Sequence, residues 1–260
     1  MSGDSPRLAA GRKRALFRIL PAALAGLLGS GLACSGNLAR SAPAGRRAAA
    51  VNCAEGAGLA VVPLPLPHGW RRSRLTRDYV RGRYDAQATS LRFVPRMIVL
   101  HWTELPDLAA LWNAFRPATI PPSRPELLSA GRVNVASQFV VDRDGAIYRL
   151  LPETAIARHT IGLNRAAIGI ENVGGSEAPL TECQVRADAK LVTDLAARHP
   201  TIRYLIGHHE YGRFRGTPLW EERDPTYFTS KVDPGDEFMS AVRARVAPLR
   251  LGAEYATVPP

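Results

Sequence analysis

At 260 residues the chain has room for one ordinary domain plus a processed or flexible end, and 46% hydrophobic with 22% charged residues excludes global disorder. The formal charge of +11 suggests nucleic acid, but residues 1–50 hold eight Lys/Arg against Asp4 alone, so +7 sits in that leader and +4 in the rest. A basic groove is therefore not indicated and no nucleic-acid partner is expected. Three cysteines without Cys-x-x-Cys spacing exclude a disulfide scaffold and a cysteine-rich zinc site.

In chain order, a basic run (Arg12-Lys-Arg14) precedes an apolar stretch, Ile19 to Ala33, of export-signal length and shorter than a membrane span. Gly31 and Ala33 suit a signal-peptidase site. Cys34 adds a second reading, a lipoprotein anchored to the membrane by acyl chains at that cysteine, although Gly31 departs from the usual lipobox. Either way an exported, periplasmic or cell-envelope protein is expected, in which Cys53 and Cys183 would be free to pair. Residues 34–67 read as a flexible linker, rich in Ala, Gly, Ser and Arg and ending in the stiff Pro63-Leu-Pro-Leu-Pro67. The arginine-rich stretch 71–83 reads as a solvated arm. The folded domain is expected over 68–250, with a tail at 251–260 and a monomeric state.

Within it, Met97-Ile-Val-Leu100 reads as a strand buried on both faces. Leu105, Leu108, Trp112 and Phe115 recur at helical spacing. Segments 138–142 and 146–151 flank Arg143-Asp-Gly145 and predict a hairpin. Ala167 to Asn172 is a further strand. Thr181 and Gln184 form a capping box ahead of a helix that Pro200 closes, and Arg203 to Ile206 is the next strand. Interleaved strands and helices with one hairpin predict an α/β domain, a mixed sheet flanked by helices.

His101 and His208 each follow an apolar strand directly, and Asp233 lies in the turn sequence Lys231-Val-Asp-Pro-Gly235. Two imidazoles and one carboxylate form a ligand set of zinc hydrolases, which leave a fourth position open for water. Singly, each residue has an ordinary reading as a strand-end histidine or a turn former. Glu171 ends an apolar strand that has no structural need of a carboxylate, so it is a candidate acid/base. Lys231 could donate to an oxyanion, although a surface lysine is the ordinary reading. Tyr211 to Ser230 is long for a connection, and its aromatic residues read equally as a groove wall or as a small core of their own.

Met-Ile-Val-Leu-His101-Trp-Thr, Phe-Val-Val-Asp-Arg-Asp-Gly145, Ala-Arg-His159-Thr-Ile-Gly-Leu-Asn164, Ile-Gly-Ile-Glu171-Asn-Val-Gly-Gly, Ile-Gly-His208-His-Glu and Lys231-Val-Asp233-Pro-Gly stand in one order. That series resembles the type-2 N-acetylmuramoyl-L-alanine amidases, which share a fold with the peptidoglycan recognition proteins. The resemblance spans roughly residues 70–245. It implies a Zn2+ enzyme acting on peptidoglycan or muropeptides, with His101, His208 and Asp233 as ligands, Glu171 as acid/base and Lys231 stabilising the tetrahedral intermediate. His159 and Asn164 fall in the segment that lines the family's substrate groove. A non-catalytic wall-binding module on the same fold is the alternative, although such relatives commonly lack a ligand. Two departures stand out. Gln138 occupies a position where many members carry histidine, which implies an effect on packing or substrate contact. His208 and His209 are adjacent, and the family pattern, with the ligand directly after glycine, selects His208.

Overall fold

The computed structural model describes Cys53 and residues 58–255. The chain divides into two units, Met1–Arg47 and Ala48–Pro260, and every described element lies in the second. The expected export signal, Cys34 and residues 256–260 fall outside the described residues. The strands are β1 (Val61–Pro63), β2 (Met97–Trp102), β3 (Phe139–Val141), β4 (Ile147–Arg149), β5 (Ala167–Asn172) and β6 (Tyr204–Gly207). The α-helices are α1 (Trp70–Arg83), α2 (Leu108–Phe115), α3 (Glu182–Arg198) and α4 (Asp236–Arg245).

The strands form one sheet in the order β1-β4-β3-β5-β2-β6. Only β3 and β4 pair antiparallel, through the expected hairpin, so the sheet is mixed. Gly145 makes that turn at φ +86°, a conformation that disfavours a side chain, and a Cβ there would lie 2.9 Å from the Cys183 carbonyl oxygen. The apolar runs of β2 and β5 are buried because both faces are covered. Ile98, Leu100, Ile168 and Ile170 share a core with Leu191, Val192 and Leu195 of α3 and with Met239 and Val242 of α4. Met97, Val99, Ala167 and Ile206 face the other way, against Tyr211 and Phe214. The α3 capping box forms as expected: Thr181 Oγ1 accepts from the Gln184 N–H at 3.2 Å, and Gln184 Oε1 accepts from the Thr181 N–H at 2.9 Å.

Three stretches depart from expectation. Part of the presumed linker 34–67 belongs to the folded body, because β1 pairs with β4 and a disulfide joins Cys53 to Cys183. The prolines allow this by alternation. Pro63, Pro65 and Pro67 lack N–H groups, whereas Leu64 and Leu66 donate to the carbonyls of Arg149 and Leu150 at 3.0 and 2.9 Å. At the other end, Gly252 bonds to Arg203 and Leu205, so residues 251–255 pack on β6 instead of trailing as a tail. The arginine-rich stretch is helix α1, and Arg72 is buried in it.

The Arg72 guanidinium donates to the carbonyls of Phe115 (2.6 Å), Arg116 (3.3 Å) and Pro117 (2.8 Å). These lie at the C-terminal end of α2, where helix carbonyls lack intrahelical partners. Arg72→Ala takes the donor from the buried Phe115 carbonyl, while the Pro117 carbonyl keeps Asn134 Nδ2 at 3.1 Å, and is expected to cost about 1.5–3 kcal/mol, read from urea denaturation.

Candidate metal centre and active site

Parallel register builds the site. In β2 and β5, His101 lies opposite Glu171; in β2 and β6, Leu100 lies opposite Gly207, so His208 follows at the level of His101. Three polar side chains thus stand in a row at the carboxyl ends of adjacent strands, where sheets of this kind hold ligands. Asp233 returns over the row from the segment that precedes α4. Its carbonyl accepts the His209 N–H at 2.9 Å and approaches His209 Nδ1 at 3.0 Å. His209 Nε2 meets Asp236 Oδ1 at 2.9 Å, so this second histidine braces the loop and faces away from the row.

Asp233 Oδ2 lies 3.3 Å from His101 Nδ1 and 3.0 Å from His208 Nδ1. One donor atom from each of the three residues lies within 4.8 Å of the others, and all three residues are buried. Burial, aided by the neighbouring His101, pushes the His208 pKa down to about 4, so its imidazole is neutral at pH 7. Burial alone would raise the Asp233 pKa, but the adjacent His101 and His208 rings outweigh it and hold the carboxyl well below its ordinary range. A neutral imidazole, a second imidazole and a carboxylate at this spacing fit the donor set of a catalytic zinc site, since metal ligands must be deprotonated.

A chain of ring nitrogens sets the tautomer of His101. His159 Nε2 lies 3.3 Å from the Ala167 carbonyl oxygen, an acceptor only, so that nitrogen carries the proton. Burial, then His101 and His208, keep the His159 pKa well below its ordinary value, which makes Nδ1 an acceptor. His101 Nε2, 3.1 Å away, can then donate to it, which leaves the lone pair of His101 Nδ1 toward Asp233 and His208. Gly169 makes the room for this: a Cβ at that position would lie 2.8 Å from the His159 ring. Gly169→Ala is expected to displace His159 and weaken zinc binding about 10–100-fold, measured by competition with a chromophoric chelator.

His159 and Asn164 border the cleft, but their polar atoms are committed to protein. Asn164 Oδ1 accepts from the N–H groups of His159 (2.9 Å) and Thr160 (2.8 Å), and its Nδ2 meets the hydroxyls of Tyr79 (3.1 Å) and Tyr84 (2.7 Å). Asn164 thus fixes the loop that carries His159. Thr160, which sequence reasoning did not single out, places Oγ1 2.8 Å from His159 Nδ1. Gln138 is a packing residue: its Oε1 accepts the Gly169 N–H at 2.7 Å and its Nε2 donates to the Ala155 carbonyl at 2.8 Å.

Above the row opens a cleft of about 640 Å³, bordered by Glu171, Lys231, Arg124, Tyr227 and Thr229. Glu171 is 8% exposed. Burial raises its pKa to about 7, with His101 opposing and Asp233 adding to the rise, so the group is poised to exchange a proton near neutral pH. Arg124 and Lys231 act weakly on it in the opposite sense. In the segment 211–230, Tyr211 stacks on Phe228 (5.1 Å) and Trp220 (5.8 Å) and joins the sheet core of Met97, Val99 and Ile206, while Tyr227 and Thr229 face the cleft. The segment therefore supplies part of the cleft wall, and its remaining aromatic residues extend the sheet core instead of forming a separate one.

The family model for N-acetylmuramoyl-L-alanine amidase matches residues 91–236, more than half of the chain and the whole of the row just described. The chain belongs to the N-acetylmuramoyl-L-alanine amidase family. This amidase-family chain is similar to the endolysin LysCS of Clostridium intestinale at 20% identity, over 73% of this chain and 99% of that one, with a TM-score of 0.47. It is similar to AmpD at 23% identity, over 72% and 94% of the two chains, with a TM-score of 0.46. It is also similar to peptidoglycan recognition protein LE, solved with tracheal cytotoxin, at 18% identity over 71% and 93%, with a TM-score of 0.44. A comparison with curated proteins gives no match.

Proposed function

We propose that this chain is an exported zinc amidase that hydrolyses the bond between the lactyl group of N-acetylmuramic acid and the L-alanine of the peptidoglycan stem peptide, in wall turnover or remodelling. The observation that carries the reading is the convergence of His101, His208 and Asp233 beside Glu171 at the floor of an open cleft. His101, His208 and Asp233 would hold a zinc ion, which would supply Lewis-acid polarisation of the carbonyl and a lowered pKa for a water. Glu171 takes the proton of the attacking water and delivers it to the leaving nitrogen. Lys231, half-buried at the cleft edge, donates to the oxyanion as the carbonyl becomes tetrahedral. His159 keeps the His101 lone pair on the metal side. The Cys53–Cys183 disulfide supports export, since such bonds persist in oxidising compartments. A wall-binding module that does not cut is the rival, and the filled ligand and acid/base positions weigh against it.

Metal analysis of the purified unit 48–260 tests the reading. A single zinc ion per chain, removed by a chelator and restored by added zinc, is expected. A protein that takes up no zinc would contradict it.

A further inference from the structure

On the opposite face of the sheet lies a polar pair that the proposed chemistry does not use. Asn172 ends β5 one residue after Glu171 and so points the other way, toward α3. Asp188 comes from the second turn of α3, and both residues are 0% exposed. Asn172 Nδ2 has two N–H groups: one donates to Asp188 Oδ2 at 2.9 Å, the other to the main-chain carbonyl of His101 at 3.2 Å. The remaining oxygens, Asn172 Oδ1 and Asp188 Oδ1, are buried without a partner. Asn172 is the one side chain, among the described residues, that acts on Asp188 electrostatically; no charged group of α3, α4 or the sheet does so. One turn earlier on α3, Gln184 is occupied with the carbonyls of Val141 and Val173.

An ionised Asp188 would bury an unpaired charge and two unsatisfied acceptors, an arrangement that native interiors avoid. We propose that Asp188 is a neutral carboxylic acid whose Oδ1–H donates to Asn172 Oδ1, closing a two-bond ring with the Asn172 amide, and that this pair positions His101 through its carbonyl. One proton satisfies both orphan oxygens. The amide is then locked, and its second N–H fixes the end of β2 from the side remote from the metal ligands. Burial raises the Asp188 pKa to about 7, opposed by the hydrogen bond from Asn172. The positioning half rests on the zinc reading above; the protonation half does not.

Carbon-13 NMR of the carboxyl groups in the unit 48–260 tests protonation, with Asp188 assigned by the signal lost in Asp188→Asn. Titration near neutral pH is expected, and a carboxyl already ionised at pH 5 would overturn the proposal. Asp188→Asn can rebuild the ring with an amide N–H as donor, so its zinc affinity is expected to stay within about threefold of wild type, while Asp188→Ala loses about 10–100-fold. Equal losses in both variants would overturn the ring. A raised carboxyl pKa confers stability that is full below the unfolded value and lost as pH rises through the folded one. Wild type should therefore lose stability relative to Asp188→Asn between about pH 4 and 7, with a constant gap above. If Asp188→Ala fails to fold, the NMR titration and Asp188→Asn decide alone. A wild-type protein that binds no zinc but shows the neutral titration would overturn the positioning half and the zinc reading while upholding the neutral acid.

Discussion

Glu171→Gln is expected to leave the zinc content of the protein unchanged and to cut turnover by about 10²–10⁴-fold. Glutamine matches the shape of glutamate but cannot accept and return a proton. The side chain makes no hydrogen bond within the described residues, so the exchange should disturb little packing, and burial already raises its pKa to about 7. The proposed ligands are His101, His208 and Asp233, with donor atoms that converge without Glu171. The measurement is kcat on a muropeptide substrate beside metal analysis of the same sample. Loss of zinc would make Glu171 a ligand, and near-normal kcat would remove it from proton transfer.

His208→Ala is expected to abolish zinc binding at micromolar metal and to bring amidase activity below detection, whereas His209→Ala keeps both within about tenfold. The two rings are neighbours in sequence with opposite surroundings. His208 Nδ1 lies 3.0 Å from Asp233 Oδ2, in the converging set. His209 reaches the Asp233 carbonyl and the Asp236 carboxylate, so its loss loosens the loop without removing a donor. A zinc site keeps its open position only with three protein ligands in place, and two leave a weak, exchangeable site. Zinc competition titrations on the two variants check this. A reversed outcome, with zinc lost in His209→Ala and kept in His208→Ala, would move the ligand by one residue.

The central strands were legible because β2, β5 and β6 are apolar runs buried on both faces, and the hairpin and α3 carry local signals in Gly145 and in the Thr181–Gln184 box. Helix α1 was not, because its buried residues Tyr79 and Val80 are outnumbered by arginines and its anchor, Arg72, bonds to carbonyls 43–45 residues away. β1 was hidden by its prolines, whose alternation reads as an extended linker until the N–H groups of Leu64 and Leu66 find β4. At the site, a histidine directly after an apolar strand signalled His101 and His208, and the turn around Asp233 signalled a returning carboxylate. The tautomer chain gave no sequence signal, since it depends on the Ala167 carbonyl and on space left by Gly169, neither visible in residue type alone. The Asn172–Asp188 pair was equally silent, because an asparagine at a strand end and an aspartate in a helix are ordinary in isolation.

The most direct test of the whole account is digestion of purified peptidoglycan by the unit 48–260, with and without a chelator, with products read by mass spectrometry. Free stem peptides beginning with L-alanine are expected, abolished by the chelator and restored by zinc. Zinc-loaded protein that binds the wall and releases no peptide would contradict it and make this chain a recognition module.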